Sequence, residues 1–159
     1  MSPNSAKLTA WGITRDSPQQ AHVRAALEAS GCRWTLQRAA VYEYLRQVDI
    51  HPTAEEVYRA VRTRLPRISL ATVYKALEAL VDARLAIKLD YGDHSARFDH
   101  RADDHYHLRD VATGEIRDLP TPYDPALLEK LQSGLIDDLA ARGFRVTGYR
   151  LEVLGQFER

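Results

Sequence analysis

The chain has 159 residues with no net charge, and 45% of them are hydrophobic, which allows one ordinary domain or two small ones. It has no run of 18 apolar residues, no secretory-signal layout and only one cysteine, Cys32, so we expect a cytoplasmic protein without a membrane segment or an internal disulfide. Residues 1–90 carry 13 Lys or Arg against 9 Asp or Glu, and residues 91–159 carry 9 against 13, which predicts polyanion contact by the first half and cation binding by the second.

Four helices are predicted in the first half, because a capping residue precedes each of four segments with helical apolar spacing. The first is expected to continue to Gly31, and the third, opened by a capping box with Glu56, is expected to stop at Pro66. Apolar residues of the fourth recur at 3.6-residue spacing and predict a buried stripe. The predicted N-caps are Ser17, Thr35, Thr53 and Ser69, and the stripe consists of Val73, Ala76, Leu77 and Leu80.

The apolar period then changes from helical to alternating, which predicts a β-hairpin. Apolar side chains alternate with small or polar ones over residues 85–91, the segment 92–94 turns the chain, and residues 96–99 return. Short helices followed by a hairpin are the outline of a winged helix, in which the helix before the wing enters the DNA major groove.

The fourth helix therefore contains candidate DNA-reading residues. With its apolar stripe facing inward, it presents small methyl-bearing side chains, a tyrosine and a lysine outward near its N-terminal end. Methyl groups can contact thymine methyls, and a lysine can contact a guanine edge or a phosphate. A solvated helix face explains the same pattern equally well. The outward residues are Ser69, Ala71, Thr72, Tyr74 and Lys75.

Residues 99–118 mix histidines with carboxylates at spacings that a metal ion can use. His105 and His107 are two residues apart, so on a β-strand both side chains leave the same face and can meet one cation. Imidazole and carboxylate donors without thiolates suit Fe(II), Mn(II), Zn(II) or Ni(II). Nearby, His100, Asp103 and Asp104 are explained either by a second cation site or by a charged loop.

Ordered sequence blocks resemble the ferric uptake regulator family, and within it most closely the peroxide-sensing repressors. The resemblance extends from about residue 20 to about residue 155. The blocks that carry it are TLQR (35–38), HPTAEEVY (51–58), SLATVYKAL (69–77), YGD (91–93), RFD (97–99) and HYH (105–107) with Asp118.

The resemblance implies an α+β fold, with an N-terminal winged helix-turn-helix domain followed by a small α/β dimerisation domain. The implied domains are a DNA-binding domain over 1–92, a hinge and wing end over 93–104, and a dimerisation and metal-binding domain over 105–159. The implied partner is a double-stranded DNA operator, expected to be palindromic and AT-rich, bound by a homodimer. Arg33 would then reach the minor groove, and Tyr74 would contact thymine. We add Arg38 as a phosphate contact.

The resemblance also implies a metal-dependent repressor that uses Fe(II) or Mn(II), with Zn(II) as a further candidate. The five implied ligands are His51, Asp99, His105, His107 and Asp118. Aspartate at position 118 tends to accompany peroxide sensing, so the resemblance implies Fe(II)-dependent oxidation of His51 or His105. A regulator of manganese, iron or zinc supply stays open, because the same donors bind several divalent ions.

An enzyme is the alternative from another class, because a HxH pair with a downstream carboxylate also occurs in non-heme metalloenzymes. The numbers of residues that separate Asp110 and Glu115 from the histidine pair do not match those motifs. No nucleophile, phosphate loop or acid/base pair stands out either. We therefore expect no enzymatic activity.

The chain departs from the family pattern in its cysteines. Many members carry two CxxC pairs for a structural zinc, but Asp110 and Thr113 occupy the first pair's positions here, so no zinc site built from four cysteines is expected. The dimerisation domain is then expected to be held by packing alone. A leucine-rich helix over about 124–142 and alternating apolar residues over 144–153 are predicted to supply that packing. The helix contains Leu127, Leu128, Leu131, Leu135 and Leu139.

Overall fold

The part of the chain that the computed structural model describes consists of residues 13, 15–92 and 94–158. Asp93, in the predicted hairpin turn, and most of the N-terminal segment considered for a secretory signal lie outside the described residues. Within the described residues, no helix has both the length and the apolar composition that crossing a membrane requires.

Within the described residues of unit one, which ends at Asp103, four helices precede the strands, and their predicted caps are confirmed. Each cap side chain accepts a hydrogen bond from the backbone N–H three residues later, and Thr53 forms the complete capping box with Glu56. The third helix ends earlier than predicted, because the backbone N–H groups of Thr63 and Arg64 make i−3 hydrogen bonds that tighten the chain before Pro66 is reached. The helices are α1 (Pro18–Ala29), α2 (Leu36–Gln47), α3 (Ala54–Arg62) and α4 (Leu70–Asp82).

The predicted stripe of α4 lies in the apolar core of unit one. Its four side chains are at most 2% exposed, and Val41 of α2 and Val57 of α3 are buried in the same cluster. Burying each valine or leucine stabilises the unit by about 1.5–3 kcal/mol. This packing turns the polar face of α4, with the candidate DNA-reading residues, toward solvent.

A two-stranded antiparallel hairpin completes the winged helix of unit one, as predicted. Its strands are β1 (Ile87–Leu89) and β2 (Arg97–Asp99), with Lys88 opposite Phe98. The first strand is shorter than the predicted alternation, because the backbone N–H groups of Leu85 and Ala86 donate to the carbonyl of Leu80 at the end of α4.

Unit two, which begins at Asp104, contains a three-stranded sheet and two short helices. The middle strand β3 pairs antiparallel with β4 and parallel with β5. The predicted order of a winged helix followed by a small α/β unit, within an α+β fold, is therefore confirmed. The elements are β3 (His107–Asp110), β4 (Ile116–Asp118), α5 (Leu127–Leu131), α6 (Leu135–Ala141) and β5 (Glu152–Gly155).

The prediction of a single helix over 124–142 is wrong, because two helices with a break between them occupy that stretch. Gln132 is extended and Gly134 has a φ of 76°, a conformation that ends the helical path. The Glu129 carboxylate then accepts hydrogen bonds from the backbone N–H groups of Gly134 and Ile136 at the start of α6. The leucines are also not a core within this unit, since neither helix contains a buried residue and Leu131 is 70% exposed.

The alternating segment 144–153 forms less strand than predicted. Among its described residues only those from Glu152 onward belong to a strand, β5. Tyr149 instead contributes its ring to a stack with Tyr123 and shares a hydroxyl hydrogen bond of 2.6 Å with Tyr106. Aromatic packing therefore takes the place of the predicted strand alternation here.

Candidate metal ligands and nucleic-acid interface

Two of the five predicted metal ligands, His51 and Asp99, lie together in unit one. His51 precedes α3 and Asp99 ends β2, and the backbone N–H of Phe98 donates to the carbonyl of Pro52, which joins the two segments. Both side chains are buried, and 3.6 Å separates His51 Nε2 from Asp99 Oδ2. Two donors at right angles on one ion, each about 2.1 Å from it, are about 3 Å apart. The pair therefore has a separation close to that of two ligands of one ion.

The other three predicted ligands lie together in unit two. His107 begins β3 opposite Asp118 of β4, and His105 lies two residues earlier. The two imidazole rings have centroids 4.5 Å apart, so the HxH pair lies close together, although only His107 belongs to the expected strand. His105 Nε2 lies 3.2 Å from Asp118 Oδ1. This set again places imidazole and carboxylate donors at ligand-like separations.

The donor chemistry of the two sets fits a divalent transition metal. Three imidazoles and two carboxylates suit Fe(II), Mn(II) or Zn(II), and burial favours a partly dehydrated ion over a hydrated one. Each side chain offers one ligand atom, and three of the five residues are buried. The five are His51, Asp99, His105, His107 and Asp118.

The residues considered for a second cation site make other contacts. The guanidinium of Arg101 donates to both carboxylate oxygens of Asp103. His100 Nδ1 lies 3.7 Å from Asp99 Oδ1, and Asp104 is exposed. These contacts favour the charged-loop interpretation over a second cation site.

Four of the predicted DNA-contacting residues line one surface depression of unit one. Arg33 precedes α2, Arg38 lies in its first turn, and Thr72 and Lys75 come from the first two turns of α4. Arg38 Nη1 donates to the carbonyl of Arg33 at 2.6 Å, and this bond holds the Arg38 guanidinium beside Arg33. Ser69 caps α4 and its hydroxyl lies 2.8 Å from that of Thr72, while Ala71 is exposed beside them.

Tyr74 lies apart from that depression, in a groove between α3, α4 and the wing. Its side chain is 41% exposed, and its hydroxyl donates to Glu55 Oε1 at 2.8 Å. This hydrogen bond lowers the pKa of Glu55 and raises the pKa of Tyr74, so the carboxylate is the acceptor and the phenol keeps its proton. Sequence reasoning did not identify Glu55, because no local signal links two residues 19 positions apart.

A winged helix with an outward basic face, combined with buried histidine and carboxylate donors, defines the class of metal-responsive DNA-binding regulators. The model of the ferric uptake regulator family matches residues 29–154. The chain belongs to the ferric uptake regulator family, and the resemblance predicted from the sequence blocks is confirmed.

Individual relatives and solved structures agree with this assignment. The peroxide operon regulator of Bacillus subtilis (strain 168) is 40% identical over 131 residues, which cover 81% of this chain and 84% of that protein. A zinc-bound manganese uptake regulator superimposes with a TM-score of 0.63 at 29% identity, covering 84% of this chain and 97% of that one. A Campylobacter jejuni peroxide stress regulator gives a TM-score of 0.57 at 25% identity, covering 90% and 98%.

Proposed function

We propose that this protein is a metal-dependent transcriptional repressor that senses peroxide, acts on DNA as a homodimer in the cytoplasm, and is not an enzyme. The observation that supports this function most is the donor set of three histidines and two aspartates, present in a chain that also has a winged helix. The similarity to a peroxide operon regulator supports peroxide as the signal. Aspartate rather than glutamate at position 118 supports the same choice.

The proposed ligands of the regulatory metal are His51, Asp99, His105, His107 and Asp118, each of which offers one ligand atom. A metal ion that binds the DNA-competent state more tightly than the other state raises DNA affinity by the same factor, so the two affinities are thermodynamically linked. When bound, Fe(II) supplies redox chemistry toward hydrogen peroxide that Mn(II) does not. Oxidation of His51 or His105 by hydrogen peroxide would remove a donor from the proposed ligand set and so weaken metal binding.

The proposed DNA contacts follow from the exposed face of unit one. Arg33, Arg38 and Lys75 provide positive charge at one depression, which suits phosphate oxygens and makes affinity fall as salt rises. Small side chains at the start of α4 suit the major groove, where thymine methyls are accessible. A homodimer places two copies of this face against a palindromic, AT-rich operator.

Metal is expected to control DNA binding. Chelated protein should bind a duplex from upstream of its own gene about 10- to 100-fold more weakly than Mn(II)-loaded protein, the range of a typical coupling energy. His105→Ala should abolish the response to Mn(II), because it removes one of the proposed donors. Fluorescence anisotropy under anaerobic conditions measures both affinities.

The matched control for that variant is His22→Ala, which removes an exposed histidine of α1. It should respond to Mn(II) as the wild type does. If metal changes DNA binding by less than about twofold in the wild type, the metal-gated repressor is excluded and the enzyme alternative must be reopened.

Peroxide is expected to modify Fe(II)-loaded protein at a ligand histidine. After anaerobic loading and a brief exposure to hydrogen peroxide, peptide mass spectrometry should find added oxygen on His51 or His105, together with loss of DNA binding. Mn(II)-loaded protein should remain unmodified, and His22 serves as an internal control. Unmodified histidines with retained DNA binding would instead favour a metal-supply regulator of the same family.

A further inference from the structure

The hydrogen bond between Tyr74 and Glu55 restricts what the tyrosine can offer to DNA. The bond connects α4, the proposed reading helix, with the first turn of α3 at 2.8 Å. An ionised carboxylate has no proton to give, so the phenol must be the donor. The raised pKa of Tyr74 and the lowered pKa of Glu55 agree with that direction.

A phenol whose only proton is committed can act toward a further partner only as an acceptor. Phosphate oxygens are also acceptors, so Tyr74 held in this way cannot donate to the DNA backbone. It can accept from the exocyclic amino groups of adenine or cytosine in the major groove, and its ring can contact a thymine methyl. The bond to Glu55 therefore favours base edges, which differ in sequence, over phosphates, which do not.

We propose that Glu55 is a specificity-determining residue, which positions Tyr74 as a hydrogen-bond acceptor and ring contact for a base pair and prevents it from binding phosphate. This inference rests on the proposed DNA-binding function. Glu55 acts through Tyr74 and touches no base itself. Its acceptor oxygen, rather than its negative charge, carries the effect.

The charge and the acceptor can be separated because the same groove provides a matched control. Glu78, one turn further along α4, lines the groove with Glu55 and Tyr74 and is likewise exposed. Glu78→Ala removes one negative charge near DNA without touching the hydrogen bond. Glu55→Gln also removes a charge but leaves an amide oxygen that can accept from Tyr74. Glu55→Ala removes both the charge and the acceptor.

The test compares sequence preference among these variants. Mn(II)-loaded wild-type protein first selects its preferred duplexes from a random library, and affinity is then measured for the preferred duplex and for a scrambled one. Glu55→Ala and Tyr74→Phe should each lower the ratio of the two affinities by about three- to tenfold, the value of one hydrogen bond. The double variant should lose no more than either single variant, because both changes remove one interaction.

The controls are expected to preserve the preference. Glu78→Ala should raise affinity for both duplexes alike, and Glu55→Gln should retain most of the wild-type ratio. The proposal is overturned if Glu55→Ala keeps the same ratio as Glu78→Ala, or if Glu55→Gln loses as much as Glu55→Ala. A wild-type protein that selects no sequence contradicts the proposed function itself, whereas selection that Glu55→Ala leaves intact contradicts only this inference.

Discussion

Replacing Arg97 with alanine is expected to lower the free energy of unfolding of unit one by about 2–4 kcal/mol, because it breaks a largely buried ion pair. The Arg97 side chain is 9% exposed, and its guanidinium donates to the carbonyl of His51 at 2.9 Å and to Glu56 Oε2 at 3.2 Å. The same Glu56 oxygen accepts the backbone N–H of Thr53 in the capping box of α3. The Arg97 side chain thus connects β2 with the segment that contains His51, a proposed metal ligand.

Urea unfolding followed by tryptophan fluorescence measures this change. Trp34 Nε1 donates to Gln20 within unit one, so the fluorescence of Trp34 reports on that unit. Lys88→Ala is the matched control, because it removes an exposed cation from the neighbouring strand and should change stability by less than about 0.5 kcal/mol. Equal stabilities of the two variants would show that the contacts of Arg97 do not stabilise unit one.

The helices of unit one could be predicted because their signals are local. Each N-cap and the hydrogen bond it accepts are separated by only three residues, so the sequence displays both partners side by side. The stripe of α4 likewise needs only the helical period to be recognised. Confirmation of all four caps and of the buried stripe follows from this short range.

The break between α5 and α6 could not be predicted from the same kind of reasoning. Leucines continue through the break at helical spacing. In the sequence, Glu129 looks like any polar residue on a helix surface, and nothing there shows that it accepts hydrogen bonds from Gly134 and Ile136. Apolar periodicity alone does not require one continuous helix. A glycine inside the pattern was the available signal.

The candidate metal ligands were predicted from two kinds of evidence, residue spacing and resemblance to the family. His105 and His107 were predicted from their two-residue spacing on an expected strand, whereas in the structure β3 begins only at His107. His51 lies more than 40 residues from Asp99, and only the resemblance to the family identified it. Arg97 and Glu55 were missed for the same reason, since their partners are distant in sequence and meet only in the folded unit.

Asp110 is expected to hold the segment after β5 against the turn after β3. Its buried carboxylate accepts the backbone N–H groups of Ala112 and Thr113 with one oxygen and that of Phe157, 47 residues later, with the other. The turn after β3 and the segment after β5 are therefore joined by one side chain. The ring of Phe157 also lies under the guanidinium of Arg117, at 4.3 Å.

Asp110→Ala should release the segment after β5. Hydrogen exchange measured by mass spectrometry should accelerate by about tenfold or more in peptides covering 111–114 and 155–158, because three backbone donors lose a charged acceptor. Asp137→Asn, a change at an exposed aspartate of α6, is the matched control and should leave these peptides unchanged. Unchanged exchange in Asp110→Ala would mean that strand pairing alone holds β5.

The same carboxylate is expected to make unit two sensitive to acid. The backbone N–H of Phe157, followed by that of Thr113, holds the pKa of Asp110 below its usual range. A folded-state pKa below the unfolded value of about 4 stabilises the unit above that pH, and the contribution disappears as the pH falls through the folded value. The stability difference between wild type and Asp110→Asn, followed by urea unfolding, should therefore be constant near neutral pH and shrink below about pH 4. A difference independent of pH would show that the carboxylate's charge plays no part, because the asparagine variant cannot titrate at this position.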